Sequence, residues 1–183
     1  VSHEVCSLAG TLSLGKLIML YDDNGISIDG EVIGWFTDIT ALRFESYGWQ
    51  VIRDVDGHDH ESIDAAIREA KVELNRPTLI CCKTLIGKGA PGKQGKSSSH
   101  GAPLGQSEID ALKSGLSWNN EPFYLPPDVL EAWDHTNEGH QAETEWNQMV
   151  NDYEQLHPAK YQELNERLSC KLPDEWENIK SSM

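Results

Sequence analysis

The chain has few basic side chains and no long apolar run. Among its 183 residues, 15 are Lys or Arg and 30 are Asp or Glu, which gives a formal net charge of -15. A general attraction to nucleic acid or to an anionic membrane surface is therefore not expected. No segment approaches the roughly 18 apolar residues of a membrane-spanning helix, and no signal-peptide pattern opens the chain. We predict a protein with neither a nucleic-acid nor a membrane partner.

Cysteine is also scarce, with four residues and no Cys-x-x-Cys pair. Cys81 and Cys82 stand inside an apolar run, and this usage is typical of reduced, mostly buried thiols rather than of redox chemistry. We therefore expect a cytoplasmic protein. The first residue is valine and not methionine, so we also expect the chain to be part of something longer.

The most informative segment that is present spans residues 16–30. An apolar strand predicted at 17–21 is followed by three oxygen-bearing side chains, Asp22, Asp23 and Asn24. In an open α/β sheet, ligands bind outside the carboxyl ends of the strands. Carboxamide and backbone carbonyl oxygens are ligands that Mg²⁺ or Ca²⁺ takes, often together with the phosphates of a substrate. This segment therefore predicts a metal-phosphate site.

A β-hairpin is the alternative interpretation of the same segment. Asn24-Gly25 favours a type I′ turn, and residues 26–29 alternate as a strand would. An EF-hand is excluded, because its fifth and sixth positions would be Ile26 and Ser27 instead of an oxygen ligand and glycine.

The order of predicted elements favours an α/β fold. Apolar runs predict strands at 17–21, 50–54 and 78–83, the last being continuous enough for burial on both faces. Helical patterns lie between these strands. The first runs from about residue 37 to 47, and the second begins after Asp59, its predicted cap, and runs to residue 74. This βαβαβ order predicts a doubly wound, mainly parallel sheet, which weakens the hairpin interpretation because the first strand becomes interior.

Residues 84–106 form a glycine-rich loop in which the sign of the charge reverses. From Lys83 to Ser107 there are four lysines, one histidine (His100) and no acid. Such a loop can attract anionic substrates, and its glycines let N–H groups approach phosphate oxygens. Histidine is the side chain best suited to exchange a proton near neutral pH, so we expect His100 to act as a general acid or base. The alternative is a solvated, mobile loop.

Residues 90–97 satisfy a relaxed P-loop pattern in which Ala90 replaces the first glycine. A true P-loop leads directly from a strand into a helix that holds the phosphates. Here residues 84–89 intervene after the strand, and residues 97–103 are unsuited to open a helix. An NTPase is therefore rejected.

From about Ser117 onward the chain becomes polar and rich in Glu, Gln and Asn. Helical patterns occur at 128–133, 143–153 and 160–168. We therefore divide the chain into an α/β part at residues 1–118 and a helical part at 119–183.

Five sequence blocks resemble the transketolase family. They lie at residues 2–10, 21–30, 43–49, 83–87 and 99–105. Their order and spacing are similar to those of the bacterial-type enzymes over essentially the whole chain. The resemblance implies the thiamine diphosphate-binding fold and a homodimer. It also implies reversible transfer of a two-carbon ketol group from a ketose phosphate to an aldose phosphate, in the pentose phosphate pathway or Calvin cycle.

The resemblance also implies roles for individual residues. The side chain of Asn24 and the backbone carbonyl of Ile26 resemble ligands of the Mg²⁺ (or Ca²⁺ or Mn²⁺) ion that holds the diphosphate of thiamine diphosphate. Ile28 resembles the apolar residue near the thiazolium ring, and Ile86 falls where the family's loop touches the cofactor. His100 resembles the histidine that contacts the diphosphate and the hydroxyl of the donor sugar and assists proton transfer.

Other expected parts lie outside these residues. The family's metal-binding aspartate should precede Val1, and the pyrimidine-binding domain with its activating glutamate should follow Met183. Residues 1–118 would then be the C-terminal part of the diphosphate-binding domain, and 119–183 a connector. Glu4 resembles a glutamate at the dimer interface.

We accordingly expect no turnover from these residues alone. Two alternatives remain within the resemblance. One is an enzyme similar to dihydroxyacetone synthase, and the other is a non-catalytic module for dimerisation or sugar-phosphate binding.

Overall fold

The computed structural model describes residues 1–172 and 175–182, which fall into two compact units, Val1–Asn120 and Glu121–Met183. The elements of the first unit are α1 (Ser2–Thr11), β1 (Ile18–Asp23), β2 (Ile26–Ser27), β3 (Gly30–Glu31), α2 (Thr40–Ser46), β4 (Gln50–Asp56), α3 (His60–Val72), β5 (Thr78–Lys83), a 3₁₀ turn (Ser97–Ser99) and α4 (Gln106–Gly115).

A three-stranded parallel sheet organises this unit, in the order β1-β5-β4. The central strand β5 lies where the continuous apolar run predicts it, and its first five residues are buried. Its side chains alternate between two faces, so Leu79 and Cys81 pack with Trp49 and Ala9 of α1, whereas Ile80 and Cys82 pack with α3. Helices cover both faces, which confirms the doubly wound α/β class.

The hairpin interpretation of the first strand is wrong. β1 pairs in parallel with β5 over its whole length, from Ile18 opposite Thr78 to Asp23 opposite Lys83. The antiparallel pair that does exist is the short β2–β3 ladder further along. β1 also continues two residues beyond the predicted end, because its backbone ladder with β5 extends through the polar residues Asp22 and Asp23.

The helix boundaries follow local capping. Asp59 caps α3 as predicted, accepting hydrogen bonds from the N–H groups of Glu61 and Ser62. The expected start of α2 near residue 37 or 38 is wrong, since this helix begins at Thr40 after Ile39. The helix α4 was not predicted from the sequence.

The second unit is helical, as the polar patterns predict. Its elements are α5 (Pro127–Trp133), α6 (Thr136–Leu156), α7 (Pro158–Leu168) and α8 (Trp176–Ser182). The helix predicted at 143–153 is longer than expected, because the polar residues 136–142 continue it. Among the described residues, no helix has both the length and the apolar character that crossing a membrane requires.

Candidate functional site

The carboxyl ends of the three parallel strands meet at one edge of the sheet. Asp23 ends β1 and Asp56 ends β4, and both stand opposite Lys83 at the end of β5. An open cavity of about 450 Å³ lies beside this edge. Its lining includes Asp22, Asp23, Asn24, Gly25, Ile26, Phe36, Asp38, Arg53, Asp54, Cys81 and Lys83. The oxygen-bearing residues at the end of β1 and just after it thus face a space large enough for a ligand.

Asn24 and Ile26 are joined by an Asx turn on the wall of this cavity. The Asn24 Oδ1 atom accepts a hydrogen bond from the Ile26 N–H group at 2.9 Å, and Asn24 Nδ2 donates to Asp22 Oδ2 at 3.3 Å. Both Asn24 and Ile26 are half-buried. The turn therefore fixes the Asn24 carboxamide at the strand end.

The two aspartates before Asn24 tie neighbouring strands together. The Lys83 ammonium group pairs with the Asp23 carboxylate, and the Thr84 hydroxyl donates to Asp22. The hydrogen bond with Asp23 raises the pKa of Lys83. The expectation that all three oxygen-bearing side chains follow the strand is therefore corrected, because Asp22 and Asp23 belong to β1 and are already paired, and only Asn24 follows it.

The oxygen donors beside the cavity suit a divalent ion that takes its remaining ligands from water or phosphate. Across residues 1–172 and 175–182, no group of three or more His, Cys, Asp or Glu is arranged to hold a metal. Magnesium is commonly held by only one or two protein ligands together with water and phosphate oxygens. The Asn24 carboxamide and nearby backbone carbonyls fit that incomplete protein shell.

Two further charged residues reach the cavity through an irregularity in β4. The register of β4 against β5 shifts between Ile52 and Val55, and Asp54 adopts a positive φ of 56°. Arg53 and Asp54 thereby line the cavity, and Arg53 Nη2 donates to Glu45 Oε1 at 2.6 Å. Sequence reasoning missed both, since residues 50–54 have the pattern of an ordinary strand; an aspartate tolerates this backbone conformation better than most residues.

The glycine-rich loop is bonded to itself over much of its length. Gly95 N–H donates to the Ile86 carbonyl at 2.8 Å, Lys96 Nζ to the Gly92 carbonyl at 2.8 Å, and Lys93 Nζ to that of Pro103 at 3.0 Å. These bonds argue against a purely solvated loop. The P-loop alternative lacks its helix here as well, because residues 97–99 form only a 3₁₀ turn.

Only some of the predicted site residues line the cavity. Asn24 and Ile26 line the cavity, whereas Ile28, Ile86 and His100 are absent from its described lining. Ile28 is 69% exposed, Ile86 is half-buried, and His100 is exposed at the end of the 3₁₀ turn. The structure brings the two predicted metal ligands, Asn24 and Ile26, to the same cavity, and the roles of all five residues stay predictions.

The buried thiols beside the cavity are poor nucleophiles. Burial, together with the nearby Asp23 charge, raises the pKa of Cys81, and burial with the Asp22 charge raises that of Cys82. A raised pKa keeps a thiol protonated at neutral pH. Cys81 and Cys82 therefore serve packing, in line with the composition.

Comparison with known proteins decides the family. A family profile described as "Transketolase, thiamine diphosphate binding domain" matches residues 1–173. The chain belongs to the transketolase family. It is 58% identical over 174 residues to the plasmid transketolase of Cupriavidus necator, which covers 95% of the chain and 26% of that protein. It is 52% identical over 183 residues to transketolase 1 of Vibrio cholerae, covering 100% of the chain and 28% of that protein.

Solved transketolase structures agree with this assignment. The structure of Pichia stipitis transketolase in complex with sedoheptulose 7-phosphate has a TM-score of 0.88 and 40% identity, covering 97% of this chain and 26% of that one. Leishmania mexicana transketolase has a TM-score of 0.89 and 32% identity, covering 96% and 26%. The chain thus spans about a quarter of the length of the curated relatives it matches.

Proposed function

We propose that this chain provides part of the cofactor site of a transketolase. The reaction is the reversible transfer of a two-carbon ketol group from a ketose phosphate to an aldose phosphate, in the pentose phosphate pathway or the Calvin cycle. The observation that carries the proposal is the family match over residues 1–173, together with the Asn24–Ile26 turn on the cavity at the carboxyl edge of the sheet.

Asn24 and Ile26 would hold the metal that binds the diphosphate of the cofactor. The Asn24 carboxamide is oriented by its hydrogen bond to the Ile26 N–H group, and both residues face the same cavity. A hard oxygen donor set of this kind suits Mg²⁺, and also Ca²⁺ or Mn²⁺. Thiamine diphosphate, when bound, supplies an electron sink that allows the bond beside a ketose carbonyl to break.

The remaining predicted residues would complete the site. Ile28 exposes an apolar side chain that could pack against a ring of the cofactor, and Ile86 lies in the loop that follows the central strand. His100 presents an exposed imidazole in a lysine-rich loop that attracts anionic sugar phosphates. It would contact the diphosphate and a hydroxyl of the donor sugar, and move a proton at that hydroxyl.

The assembly and setting are part of the same proposal. The relative from Pichia stipitis is described as a complex with sedoheptulose 7-phosphate, which supports a sugar phosphate as the substrate here. We further propose a cytoplasmic homodimer. Glu4 lies on α1 and is exposed in the single chain. A residue that contacts a second subunit has to be exposed in this way before the subunits associate.

One experiment on the intact protein tests the function and the site together. Asn24→Ala should weaken Mg²⁺-dependent binding of thiamine diphosphate by at least about 10-fold, since even residues that only orient a metal ligand contribute about 10- to 100-fold to metal affinity. His100→Ala should lower turnover and affinity for the ketose phosphate while leaving the thermal midpoint unchanged. Titration of cofactor binding by protein fluorescence and steady-state kinetics measure these effects.

The matched control is Asn75→Ala, an exposed asparagine shortly before β5 at the opposite end of the sheet. It should change none of these quantities. Unchanged cofactor affinity in Asn24→Ala would contradict the metal assignment, and loss of thermal stability alone in His100→Ala would make that residue structural. Absence of ketol transfer in the intact wild-type protein would favour the non-catalytic module.

A further inference from the structure

His58 lies in the turn between β4 and α3, and its ring joins that turn to the glycine-rich loop. The Leu85 N–H group donates a hydrogen bond to His58 Nε2 at 2.7 Å, and the His58 side chain is half-buried. A ring nitrogen that accepts a hydrogen bond carries no proton, so the neutral ring here has its proton on Nδ1. The sequence pattern indicates only a surface or capping role for this histidine.

The turn that carries His58 packs closely on the start of the loop. Gly57 N–H donates to the Lys83 carbonyl at 2.9 Å. A Cβ atom at Gly57 would lie 2.5 Å from Thr84 Cγ2 and 3.0 Å from the Lys83 carbonyl oxygen. Only glycine therefore allows this approach, which brings the imidazole within hydrogen-bond distance of Leu85.

The end of β1, on the other side of β5, contacts the start of the same loop. The Thr84 hydroxyl donates to Asp22, and the Thr84 N–H group lies 3.5 Å from the Asp23 carbonyl oxygen. The loop then runs into Ile86, whose carbonyl accepts from Gly95 N–H. Residues 84 and 85 are thus clamped between two strand ends immediately before Ile86.

We propose that His58 is a positioning residue for this loop. Its unprotonated Nε2 holds the Leu85 N–H group, and so sets where Ile86 and the following residues stand at the carboxyl edge of the sheet. The consequence for cofactor binding rests on the function proposed above, whereas the placement of the loop does not. Protonation would replace the acceptor by a second donor facing the Leu85 N–H group, so the start of the loop should loosen as the pH falls.

Charged groups lie on each of the elements next to His58. The Asp56 carboxylate at the end of β4 accepts from the backbone N–H group of His58 at 2.9 Å, and Asp59 caps α3. On the side of β5, the Lys83 ammonium group is paired with Asp23. Each of these carboxylates already has a backbone or side-chain partner, and the His58 ring itself accepts the hydrogen bond from Leu85 N–H.

The test is hydrogen–deuterium exchange of residues 84–96 in the intact protein, measured by mass spectrometry. His58→Leu removes the acceptor and should speed exchange there by about fivefold, as expected for the loss of one hydrogen bond. His58→Gln keeps an acceptor oxygen near the Nε2 position and should restore the wild-type rate. The matched control is His60→Leu at the exposed first residue of α3, which should change nothing.

A pH series supplies a second readout that keeps the proposal testable even where His58→Leu fails to fold. After correction for intrinsic exchange, wild-type exchange at 84–96 should rise between about pH 8 and about pH 6, the range in which histidine gains its proton. The His58→Gln profile should stay flat. A wild-type profile as flat as that of His58→Gln would overturn the proposal, as would unchanged exchange in a folded His58→Leu variant.

Cofactor binding separates this proposal from the function. If His58→Leu speeds loop exchange and also weakens thiamine diphosphate binding, the positioning role and the proposed function are both supported. Faster exchange with unchanged cofactor binding supports the positioning role and removes Ile86 from the cofactor site.

Discussion

The two units of the chain are built in opposite ways. In the first, β5 runs between two clusters of buried side chains, and Leu79 and Ile80 are at most 1% exposed. In the second, the described residues of α5, α6, α7 and α8 include none that is buried, and Trp133 is 81% exposed. The family match nevertheless runs through both units, from residue 1 to 173. A family sequence can therefore specify helices without giving them a core of their own.

The second unit relies on local interactions along its helices. Arg167 pairs with Glu163, and Gln141 donates to Glu145, each across one turn of helix. Such pairs contribute only about 0.2–0.5 kcal/mol each. In the first unit, burial of apolar side chains stabilises the fold more strongly, by roughly 1.5–3 kcal/mol for each large side chain. Substitutions should therefore have very different effects in the two units.

The largest contrast is expected from deletion of a large aliphatic side chain. Ile80→Ala empties space at the centre of the sheet and should destabilise the protein by about 2–5 kcal/mol. Leu168→Ala at the end of α7 removes a side chain that is 71% exposed, and should change stability by no more than about 0.5 kcal/mol. Urea unfolding of the intact protein measures both. Similar losses for the two variants would show that the second unit has a core of its own.

Glycine substitutions within helices should differ even in sign. A Cβ atom at Gly10 of α1 would overlap the Tyr47 carbonyl oxygen, so Gly10→Ala should cost about 1–3 kcal/mol. Gly139 of α6 has open space around it, and Gly139→Ala should stabilise by about 0.5–1 kcal/mol because alanine favours the helix. Thermal midpoints of the intact protein report both. A loss in Gly139→Ala would contradict an open surface at α6.

The smallest effect concerns the start of α6. Asp134 Oδ1 accepts from the Thr136 N–H group at 3.0 Å and from its hydroxyl at 2.6 Å, and these bonds lower the pKa of Asp134. A lowered pKa means that the ionised group stabilises the folded state above about pH 4, and that this contribution is lost as the pH falls. The first turn of α6 should therefore fray slightly more at about pH 3.5 than at about pH 6.

Hydrogen exchange of residues 134–145 at the two pH values measures this fraying. Asp134→Asn keeps an acceptor without the charge and should remove the pH difference. The control is Asp152→Asn further along α6, where the carboxylate accepts from Gln148 within the helix. If the pH difference persists in Asp134→Asn, a group other than Asp134 causes the fraying.

The fold was predictable where one physical signal dominated. The continuous apolar run at 78–83 could only be buried, and the structure has β5 at those residues. Asp59 before an amphipathic segment predicted the start of α3, and it caps that helix. The end of β1 was less predictable, because Asp22 and Asp23 are polar. They stay in the strand since β5 provides backbone partners, and Lys83 and Thr84 pair with their carboxylates.

The site was predictable only in part. Asn24 and Ile26 were selected from the sequence and do share the cavity. Arg53 and His58 were missed, because the first depends on a register shift in β4 and the second on a hydrogen bond to a residue 27 positions away. Neither a bulge nor a long-range acceptor leaves a periodic pattern in the sequence.

The sequence by itself determined the α/β class, the central buried strand, the capped helix before it, and the family to which the chain belongs. These follow from local signals, such as apolar runs, caps and blocks of neighbouring residues. The tertiary structure decided which strand ends meet, which carboxylates are already paired, and how His58 reaches the loop that carries Ile86. Those outcomes depend on parallel pairing around β5, which brings residues far apart in the chain to one edge of the sheet.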